Sequence, residues 1–170
     1  MDLERSLVVF KPDAVQRGLV GEIITRFERA GLKIVGMKMV HPSLEHYHKH
    51  YEEIGQMITR RGQKPFDMTV AMMQQGPVIA MVLEGVAAVP LIRKMVGTTE
   101  PASAAPGTIR GDFSHISFAY ADKVSVGVPN LLHASGDVEE AKKEIAHWFK
   151  EDELFDYTAP HEVHTHGKKK

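Results

Sequence analysis

Residues 6–41 read SLVVFKPDAVQRGLVGEIITRFERAGLKIVGMKMVH and contain two strand patterns separated by one helix pattern. The run Ser6–Phe10 is rich in β-branched and aromatic residues, which is typical of a buried strand, and Lys11-Pro12-Asp13 is typical of a turn. Apolar residues at positions 20, 23, 24 and 27 then share one face of a helix. Lys33–His41 alternates loosely between apolar and polar residues and predicts a second strand. The segment therefore predicts a β-α-β unit.

The rest of the chain adds two strands and several helices. The third strand is predicted at Val78–Glu84 and the fourth at Leu131–His133. Helices are predicted from Ser43 to Ile54, from about Pro65, from Ala87 to Val96 and from Asp137 to Phe149, with Ser43 and Asp137 as N-caps. Residues 55–63 are predicted to be irregular and residues 97–111 to form a loop, and residues 114–129 are unassigned. This order predicts an α+β, ferredoxin-like sandwich, in which helices pack on an antiparallel four-stranded sheet. Residues 1–158 form the predicted domain, and residues 159–170 a polar, flexible tail.

The composition argues against several classes of protein. The chain has 21 Lys and Arg residues, 22 Asp and Glu residues, and no cysteine that could form a disulfide. A formal net charge of −1 does not favour the coating of nucleic acid. The longest apolar stretches, such as Val78–Leu83, are much shorter than a membrane span. We therefore expect a cytoplasmic protein with neither nucleic acid nor a membrane as a partner.

Ten histidines are distributed along the chain. Those in helical, polar stretches are predicted to lie on the surface: His46, His48, His50 and His147. Three others, His161, His164 and His166, belong to the predicted tail, where a weak metal site is an alternative to simple exposure.

The sequence lacks the two common phosphate-binding loops, GxxxxGK[ST] and GxGxxG. An enzyme of this sequence that acts on nucleotides would therefore hold phosphates with side chains. The candidates are Lys11 after the first strand, Arg93 on a helix, and Arg110 in GTIRGDF (residues 107–113). Each of these cations, taken alone, is best explained as an ordinary surface residue. Lys11 is better placed than the others, because a charge at a strand end beside a turn commonly lines a cleft.

The most informative segment is NLLHAS, residues 130–135. His133 ends a strand just before a helix, and the free N–H groups and the dipole at a helix N-terminus favour phosphate. Imidazole is a competent nucleophile near neutral pH. Glu144, in the following helix, can reach back to orient the ring. The alternative, from these residues alone, is a core histidine that is hydrogen-bonded to the backbone.

Several blocks in residues 6–158 resemble the nucleoside diphosphate kinase family. The blocks are KPDAVQRG (11–18), GPV (76–78) with EG (84–85), PGTIRGDF (106–113), NLLHAS (130–135), and AKKEI (141–145) with WF (148–149). Because they occur in order along the chain, the resemblance is stronger than any single motif. It implies a kinase-like domain at residues 1–158. It also implies a ping-pong transfer of the γ-phosphate from a nucleoside triphosphate to a nucleoside diphosphate.

The resemblance implies roles for ten residues. His133 would be the nucleophile, phosphorylated on its pros nitrogen (Nδ1), with Glu144 and Ser135 orienting its ring. The residues expected to bind the nucleotide are Lys11, Tyr51, Phe66, Arg93, Thr99, Arg110 and Asn130. Among these, Phe66 would stack on the base, and Asn130 and Lys11 would meet the sugar. Mg²⁺ would bridge the phosphates of ATP, ADP and other nucleoside di- and triphosphates without ligands from the protein. The resemblance also implies a homo-oligomer, either a hexamer or a tetramer.

The chain departs from the family pattern at three places. Gly136 stands where the family usually has aspartate, and segments 52–63 and 114–129 are longer than usual. Two other classes of function are alternatives. A non-catalytic relative would bind nucleotides or proteins, but it would be expected to lack the nucleophile or the phosphate-binding cations. A module that senses small ligands on the same fold would leave residues 130–135 unexplained.

Overall fold

The computed structural model describes residues 3–165 and contains one four-stranded sheet. Its strands are β1 (Leu3–Phe10), β2 (Lys33–Val40), β3 (Val78–Val86) and β4 (Leu132–Ala134). They lie in the order β2-β3-β1-β4, and every neighbouring pair is antiparallel. The predicted α+β, ferredoxin-like class is confirmed, and each predicted strand overlaps an observed one.

Helices cover the sheet. They are α1 (Pro12–Gln16), α2 (Val20–Arg29), α3 (Leu44–His48), α4 (Met57–Arg61), α5 (Gln63–Met73), α6 (Ala88–Val96), α7 (Ile109–Phe113), α8 (Phe118–Val124), α9 (Val138–Trp148) and α10 (Glu162–Thr165). A π-helical turn, Lys49–Ile54, continues α3, and short 3₁₀ turns lie at Pro101–Ser103 and Glu151–Glu153. Within residues 3–165, no helix combines the length and the apolar character needed to cross a membrane.

Both faces of the central strands are buried, which explains their continuous apolar sequences. In β1, Val8 and Phe10 contribute to a core that includes residues of α2 and α6, whereas Leu7 and Val9 contribute to a core that includes residues of α5 and α9. Successive side chains of a strand point to opposite faces, so a strand that is covered on both sides needs apolar residues at every position. The sheet is therefore the middle layer of the domain, and its edge strand β4 carries His133.

Several segments without a helical pattern in the sequence contain helices, and α7 begins at Ile109, inside the predicted loop 97–111. The prediction that residues 55–63 are irregular is wrong, because α4 occupies most of this segment. The unassigned segment 114–129 contains α8. No residue of α4 is fully buried, and α8 buries only Ala121. Helices this short, without a broad apolar face, give no periodic signal that sequence patterns could detect.

The first residues of the predicted tail pack against the domain. Ala159 and Glu162 are buried. Lys33 Nζ lies 3.0 Å from Glu162 Oε1 and 2.8 Å from Glu84 Oε1, which joins this segment to two strands of the sheet. The boundary at residue 158 stays a prediction, although these contacts hold Ala159 and Glu162 against the domain. Residues 166–170, with His166, lie outside the described residues.

The helix that follows β4 begins at a side-chain cap. The Asp137 carboxylate accepts a hydrogen bond from the backbone N–H of Glu140 at 2.8 Å, which confirms the predicted N-cap. This helix, α9, buries Glu144 and Trp148. The cap therefore stabilises the element that carries both side chains into the interior.

We expect Asp137→Ala to lower the free energy of unfolding by about 1 kcal/mol, because a backbone N–H at the start of α9 loses its partner. Asp137→Asn should leave this free energy nearly unchanged, since asparagine is also a good N-cap. Urea unfolding followed by circular dichroism measures both variants. Equal losses in the two variants would show that the negative charge, rather than the hydrogen bond, is what stabilises the helix.

Candidate active site

A cleft of about 590 Å³ lies beside β4. Eight of the ten residues named from the sequence line it: Lys11, Tyr51, Arg93, Thr99, Arg110, Asn130, His133 and Glu144. Ser135 lies behind this wall and is bonded to Glu144. Phe66 is not among the residues that line the cleft. The fold thus brings together side chains that are far apart in the sequence, from Lys11 to Glu144.

A buried carboxylate fixes one nitrogen of the His133 ring. His133 Nε2 lies 2.6 Å from Glu144 Oε1, and the Ser135 hydroxyl donates to Glu144 Oε2, also at 2.6 Å. Ser135 Oγ in turn accepts from the backbone N–H of Leu7 at 3.1 Å. An ionised carboxylate can only accept hydrogen bonds, so the ring proton is on Nε2. Nδ1 therefore keeps its lone pair, and no residue in the described range is hydrogen-bonded to it.

The chain enters β4 in an uncommon backbone conformation. Leu131 has a φ of 74°, in the left-handed region, which costs a non-glycine residue about 1–3 kcal/mol. The Asp13 carboxylate accepts from the backbone N–H of Leu131 at 3.0 Å. The Arg110 guanidinium donates to the carbonyls on either side, those of Asn130 at 3.1 Å and Leu132 at 2.7 Å. These bonds offset the strain and fix the start of the strand.

Positive side chains gather in the cleft, among them Lys11, Arg61, Arg93 and Arg110. Burial, followed by the charge of Arg110, lowers the pKa of Lys11 to about 8. Burial, followed by the charge of Arg93, lowers the pKa of Arg110 to about 10. Like charges at short range disfavour each other's charged forms. The cleft is therefore suited to a polyanion, because a negative charge would remove this repulsion.

The Tyr51 hydroxyl also indicates a ligand. It is buried and, within the part of the chain that the structure describes, has no hydrogen-bond partner. Burial raises the pKa of Tyr51, so the hydroxyl stays protonated and able to donate. A buried donor without a partner costs about 1–3 kcal/mol. A phosphate oxygen in the cleft would provide the acceptor.

His50 is wrongly predicted as a surface residue, because only 2% of it is exposed. Its ring packs edge-on against His133, with the ring centroids 4.5 Å apart, and its Nδ1 accepts from Trp148 Nε1–H at 3.1 Å. Burial lowers the pKa of His50 well below its ordinary value, so the ring is neutral. The spacing of Tyr47, His50 and Tyr51 along one helical face is the sequence signal for this burial. The other three histidines predicted on the surface are exposed (His48) or half-buried (His46 and His147).

Phe66 packs in the core. It is 8% exposed and, with Val70 one turn later on α5, belongs to the cluster against the sheet. Pro65 and Met68, on a different face of the same helix, line the cleft instead. Phe66 therefore lies on the face of α5 that packs against the core. The structure does not bring the residue predicted to stack on the base to the site.

Gly136 leaves space for the carboxylate of Glu140. A Cβ atom at position 136 would collide with Glu140 Oε2, and Glu140 lines the cleft. Burial, followed by the charge of Glu144, raises the pKa of Glu140. A carboxyl group therefore stands beside position 136, although it is carried by α9. Gly136 therefore gives this carboxylate room at the place where aspartate is usual in the family, although Glu140 Oε2 is the end of a flexible side chain that can shift for a larger residue.

Three side chains present possible metal ligands within 4.8 Å of one another: His50, His133 and Glu144. Two imidazole nitrogens suit zinc or copper, whereas Mg²⁺ prefers oxygen ligands. The positive side chains of the cleft, such as Lys11 and Arg110, would repel a bare cation. Mg²⁺ therefore fits this cleft as part of a nucleotide, where phosphate oxygens would hold it.

Comparison with known proteins gives one family. The family model described as nucleoside diphosphate kinase matches residues 4–154. The chain is 50% identical to a nucleoside diphosphate kinase of Pyrococcus horikoshii over 157 residues, which cover 92% of this chain and 91% of that protein. It is 46% identical to nucleoside diphosphate kinase B of Rattus norvegicus over 156 residues, or 92% of each chain.

Solved structures agree with the sequence relatives. A nucleoside diphosphate kinase of Borrelia burgdorferi, described as a transition state mimic with bound vanadate and ADP, superposes with a TM-score of 0.93 at 38% identity, over 96% of this chain and 97% of that one. A halophilic nucleoside diphosphate kinase of Halobacterium salinarum, in complex with CDP, superposes with a TM-score of 0.81 at 39% identity, over 95% and 97% of the two chains. The similarity therefore extends over nearly the whole length of each chain.

The lowered pKa of Lys11 leads to a prediction about anion binding. We expect the Kd for ADP to rise on the order of tenfold between about pH 7 and about pH 9.5, because Lys11 loses its charge near pH 8. Calorimetric titration across this range measures the effect. The stability of the free protein should change in the opposite direction. Because the pKa of Lys11 is lower in the folded state than in the unfolded state, the free energy of unfolding increases as the pH rises from about 8 towards 10.5.

Lys11→Gln is expected to bind ADP weakly, with a flatter pH profile. Lys142→Gln is a matched control, because Lys142 is an exposed lysine of α9 that pairs with Glu139. It should keep the profile of the unaltered protein. If the Kd of the unaltered protein for ADP does not change between about pH 7 and about pH 9.5, the proposed titration of Lys11 is wrong.

Proposed function

The chain belongs to the nucleoside diphosphate kinase family of phosphotransferases, and we propose that it transfers the γ-phosphate through a phosphohistidine on Nδ1 of His133. One observation carries the proposal. Glu144 Oε1 lies 2.6 Å from Nε2 of the His133 ring, so Nδ1 keeps its lone pair. His133 lines a cleft that also contains a cluster of cations. A histidine that only stabilised the core would not need both a fixed tautomer and a free nitrogen beside those charges.

The reaction then consists of two matched transfers. In the first, the lone pair of Nδ1 forms a bond to the γ-phosphorus, and the bond from this phosphorus to the bridging oxygen breaks. The electron pair leaves on the β-phosphate of the nucleoside diphosphate. The Glu144 carboxylate stays bonded to Nε2–H and stabilises the positive charge of the phosphorylated ring. A second nucleoside diphosphate reverses these steps and leaves as a triphosphate.

The other residues of the cleft position the phosphates. Arg93 and Lys11 supply positive charge to the oxygens of the transferring group, where negative charge accumulates. The Tyr51 hydroxyl, which has no partner among the described residues, would donate to a phosphate oxygen. Lys11 Nζ donates to Asn130 Oδ1 at 2.6 Å, and this pair would meet the hydroxyls of the sugar. Thr99 holds the Asn130 amide through its backbone carbonyl, at 2.8 Å.

Arg110 has a second role in this proposal. Its guanidinium donates to three backbone carbonyls, including that of Gly97 at 3.1 Å. It therefore holds the strand of His133 while its charge adds to the field on the phosphates. Mg²⁺ bound to the nucleotide would supply further positive charge to the phosphate oxygens.

Nucleoside di- and triphosphates are the proposed partners. The Borrelia burgdorferi structure contains ADP, and the Halobacterium salinarum structure contains CDP, so a purine and a pyrimidine nucleotide are both bound within the family. The cations of this cleft would bind the phosphates, which all nucleotides share. We therefore propose that the chain accepts ATP, ADP and nucleotides with other bases.

We also propose a homo-oligomer, a hexamer or a tetramer, as the resemblance implies. β2 is an edge strand of the sheet, and its Met37 and Met39 are 53% and 57% exposed. Apolar side chains along an open edge favour pairing with another chain. A cytoplasmic location stays a prediction of the sequence.

The phosphoenzyme can be detected directly. Incubation with γ-labelled ATP and Mg²⁺, followed by removal of nucleotide, should leave a label that is lost in acid, stable in base and discharged by GDP. His133→Ala should abolish this label, whereas His115→Ala, which changes an exposed histidine, should keep it. A label that persists in His133→Ala would assign the nucleophile to another residue. No label in the unaltered protein would favour a non-catalytic relative.

Glu144→Gln should slow formation of the phosphoenzyme on the order of a hundredfold while the Kd for ADP changes little. A glutamine can donate its amide N–H to Nε2, which favours the tautomer with the proton on Nδ1 and so blocks the nucleophile. Rapid-quench measurement of labelling gives the rate, and calorimetry gives the Kd. An unchanged rate would show that the carboxylate does not select the tautomer.

A further inference from the structure

A second histidine ring lies beside the proposed nucleophile. His50 lines the same cleft as His133, and its ring meets the His133 ring edge-on, with the centroids 4.5 Å apart and an angle of 84° between the ring planes. The proposed transfer uses His133 and the cations of the cleft and gives His50 no role. The position of the proton on His50 decides whether this ring presents a donor or an acceptor to a group bound at His133.

The indole of Trp148 fixes the position of that proton. Trp148 Nε1–H donates to His50 Nδ1 at 3.1 Å, and an indole N–H can only donate, so Nδ1 is an acceptor. Glu144 Oε1 lies 3.7 Å from the same Nδ1, which is too far for a hydrogen bond. In a neutral imidazole with an acceptor at Nδ1, the proton is on Nε2. Nε2 of His50 is therefore a donor.

The His50 ring stays neutral, because burial, followed by the charge of His133, lowers its pKa well below the ordinary value. Positive charge on His147, His46 or Lys11 lowers this pKa further. A neutral ring adds no charge to the cation cluster and still offers one N–H. Among the described residues, none accepts a hydrogen bond from His50 Nε2. Because His50 lines the cleft, a ligand bound there would supply the acceptor.

The two rings thus present opposite groups to the cleft. Glu144 holds the proton of His133 on Nε2, which leaves a lone pair on Nδ1, whereas Trp148 occupies the lone pair of His50 and leaves an N–H. Only His133 can therefore attack phosphorus. A bond from nitrogen to phosphorus, one from phosphorus to oxygen and a hydrogen bond together span more than the 4.5 Å between the ring centroids. A phosphoryl group on His133 is therefore within reach of His50.

We propose that His50 is a second catalytic histidine of this chain, which donates its Nε2–H to an oxygen of the transferring phosphoryl group while Trp148 holds its tautomer. This inference rests on the proposed function, because the phosphoryl group moves to and from His133. A donor that is already fixed where negative charge accumulates stabilises the transition state without reorganisation. A nucleoside diphosphate has no γ-phosphate, so its affinity does not depend on this bond.

The test separates the transferring group from the rest of the nucleotide. His50→Phe keeps a buried aromatic ring and removes the N–H. It should slow labelling by γ-labelled ATP on the order of a hundredfold. It should also weaken, by about tenfold or more, the binding of vanadate, which stands in for the phosphoryl group, to the protein saturated with ADP. The Kd for ADP alone should stay within about threefold of that of the unaltered protein.

Two further variants accompany this comparison. His50→Gln, which keeps an N–H donor, should recover part of the labelling rate. His46→Phe is the matched control, because the His46 ring packs edge-on against Trp148, with the centroids 4.4 Å apart, but does not line the cleft. It should leave the labelling rate and both Kd values unchanged. Rapid quench measures the rate, and calorimetry measures the Kd values.

Nitrogen-15 NMR of the histidine side chains measures the tautomer directly, because it distinguishes a protonated ring nitrogen from one with a lone pair. In the unaltered protein His50 should carry its proton on Nε2. Trp148→Phe removes the indole donor, so part of the population should carry the proton on Nδ1, where it can approach Glu144 Oε1. Labelling should slow in that variant. A proton on Nδ1 of His50 in the unaltered protein would overturn the inference without the use of any variant.

The outcomes separate this inference from the proposed function. If the unaltered protein forms the phosphohistidine and His50→Phe is labelled at the normal rate, the function stands and the role of His50 is wrong. If no phosphohistidine forms but His50→Phe loses affinity for vanadate and keeps it for ADP, the donor stands and the proposed transfer is wrong. Equal losses for vanadate and ADP would show that His50 only supports the fold of the cleft, and would also overturn the inference.

Discussion

The Glu144 carboxylate joins the fold of this protein to its chemistry. Its side chain is 1% exposed, and its two oxygens bond His133 Nε2 and the Ser135 hydroxyl. A carboxylate this deep is stable only when its oxygens have partners, and removing one partner from a buried charge typically costs several kcal/mol. The same two bonds tie α9 to the strand of His133, and Ser135 extends the link to Leu7 in the central strand. The tautomer of the ring and the docking of the helix are therefore one constraint.

The contacts of Glu144 help to position β4, because the strand itself makes few hydrogen bonds to the rest of the sheet. Within residues 3–165 the strand is three residues long and pairs only with β1, so few ladder hydrogen bonds position it. Side chains supply the rest: Asp13 binds the N–H of the strained Leu131, and Arg110 binds the carbonyls on either side. These charged groups also belong to the cleft or lie next to it. A change to either of them would therefore move the strand and alter the electrostatics together.

Patterns in the sequence predicted most of the sheet but less of the cleft. The strands at Ser6–Phe10 and Val78–Glu84 could be predicted, because strands that are buried on both faces require continuous apolar residues. The capping residues Ser43 and Asp137 could be predicted because their side chains bond to the backbone three residues away. By contrast, α4 and α8 bury almost nothing and are held by tertiary contacts such as the one between Arg61 and Phe118. Local patterns do not encode contacts of that kind.

The errors at the site have the same origin. Phe66 follows a proline in a motif that resembles the family, yet the first turn of α5 begins two residues earlier, and helical phase turns the ring into the core. His50 lies in a polar stretch, yet it is three residues from Tyr47, and the same phase turns it inward. One residue of helical rotation is 100°, so neighbouring residues of a helix face in very different directions. The motifs therefore predicted most of the side chains that meet in the cleft, such as Lys11, Arg93 and Arg110. They did not predict that the ring of Phe66 packs in the core, because that depends on how α5 is rotated against the sheet.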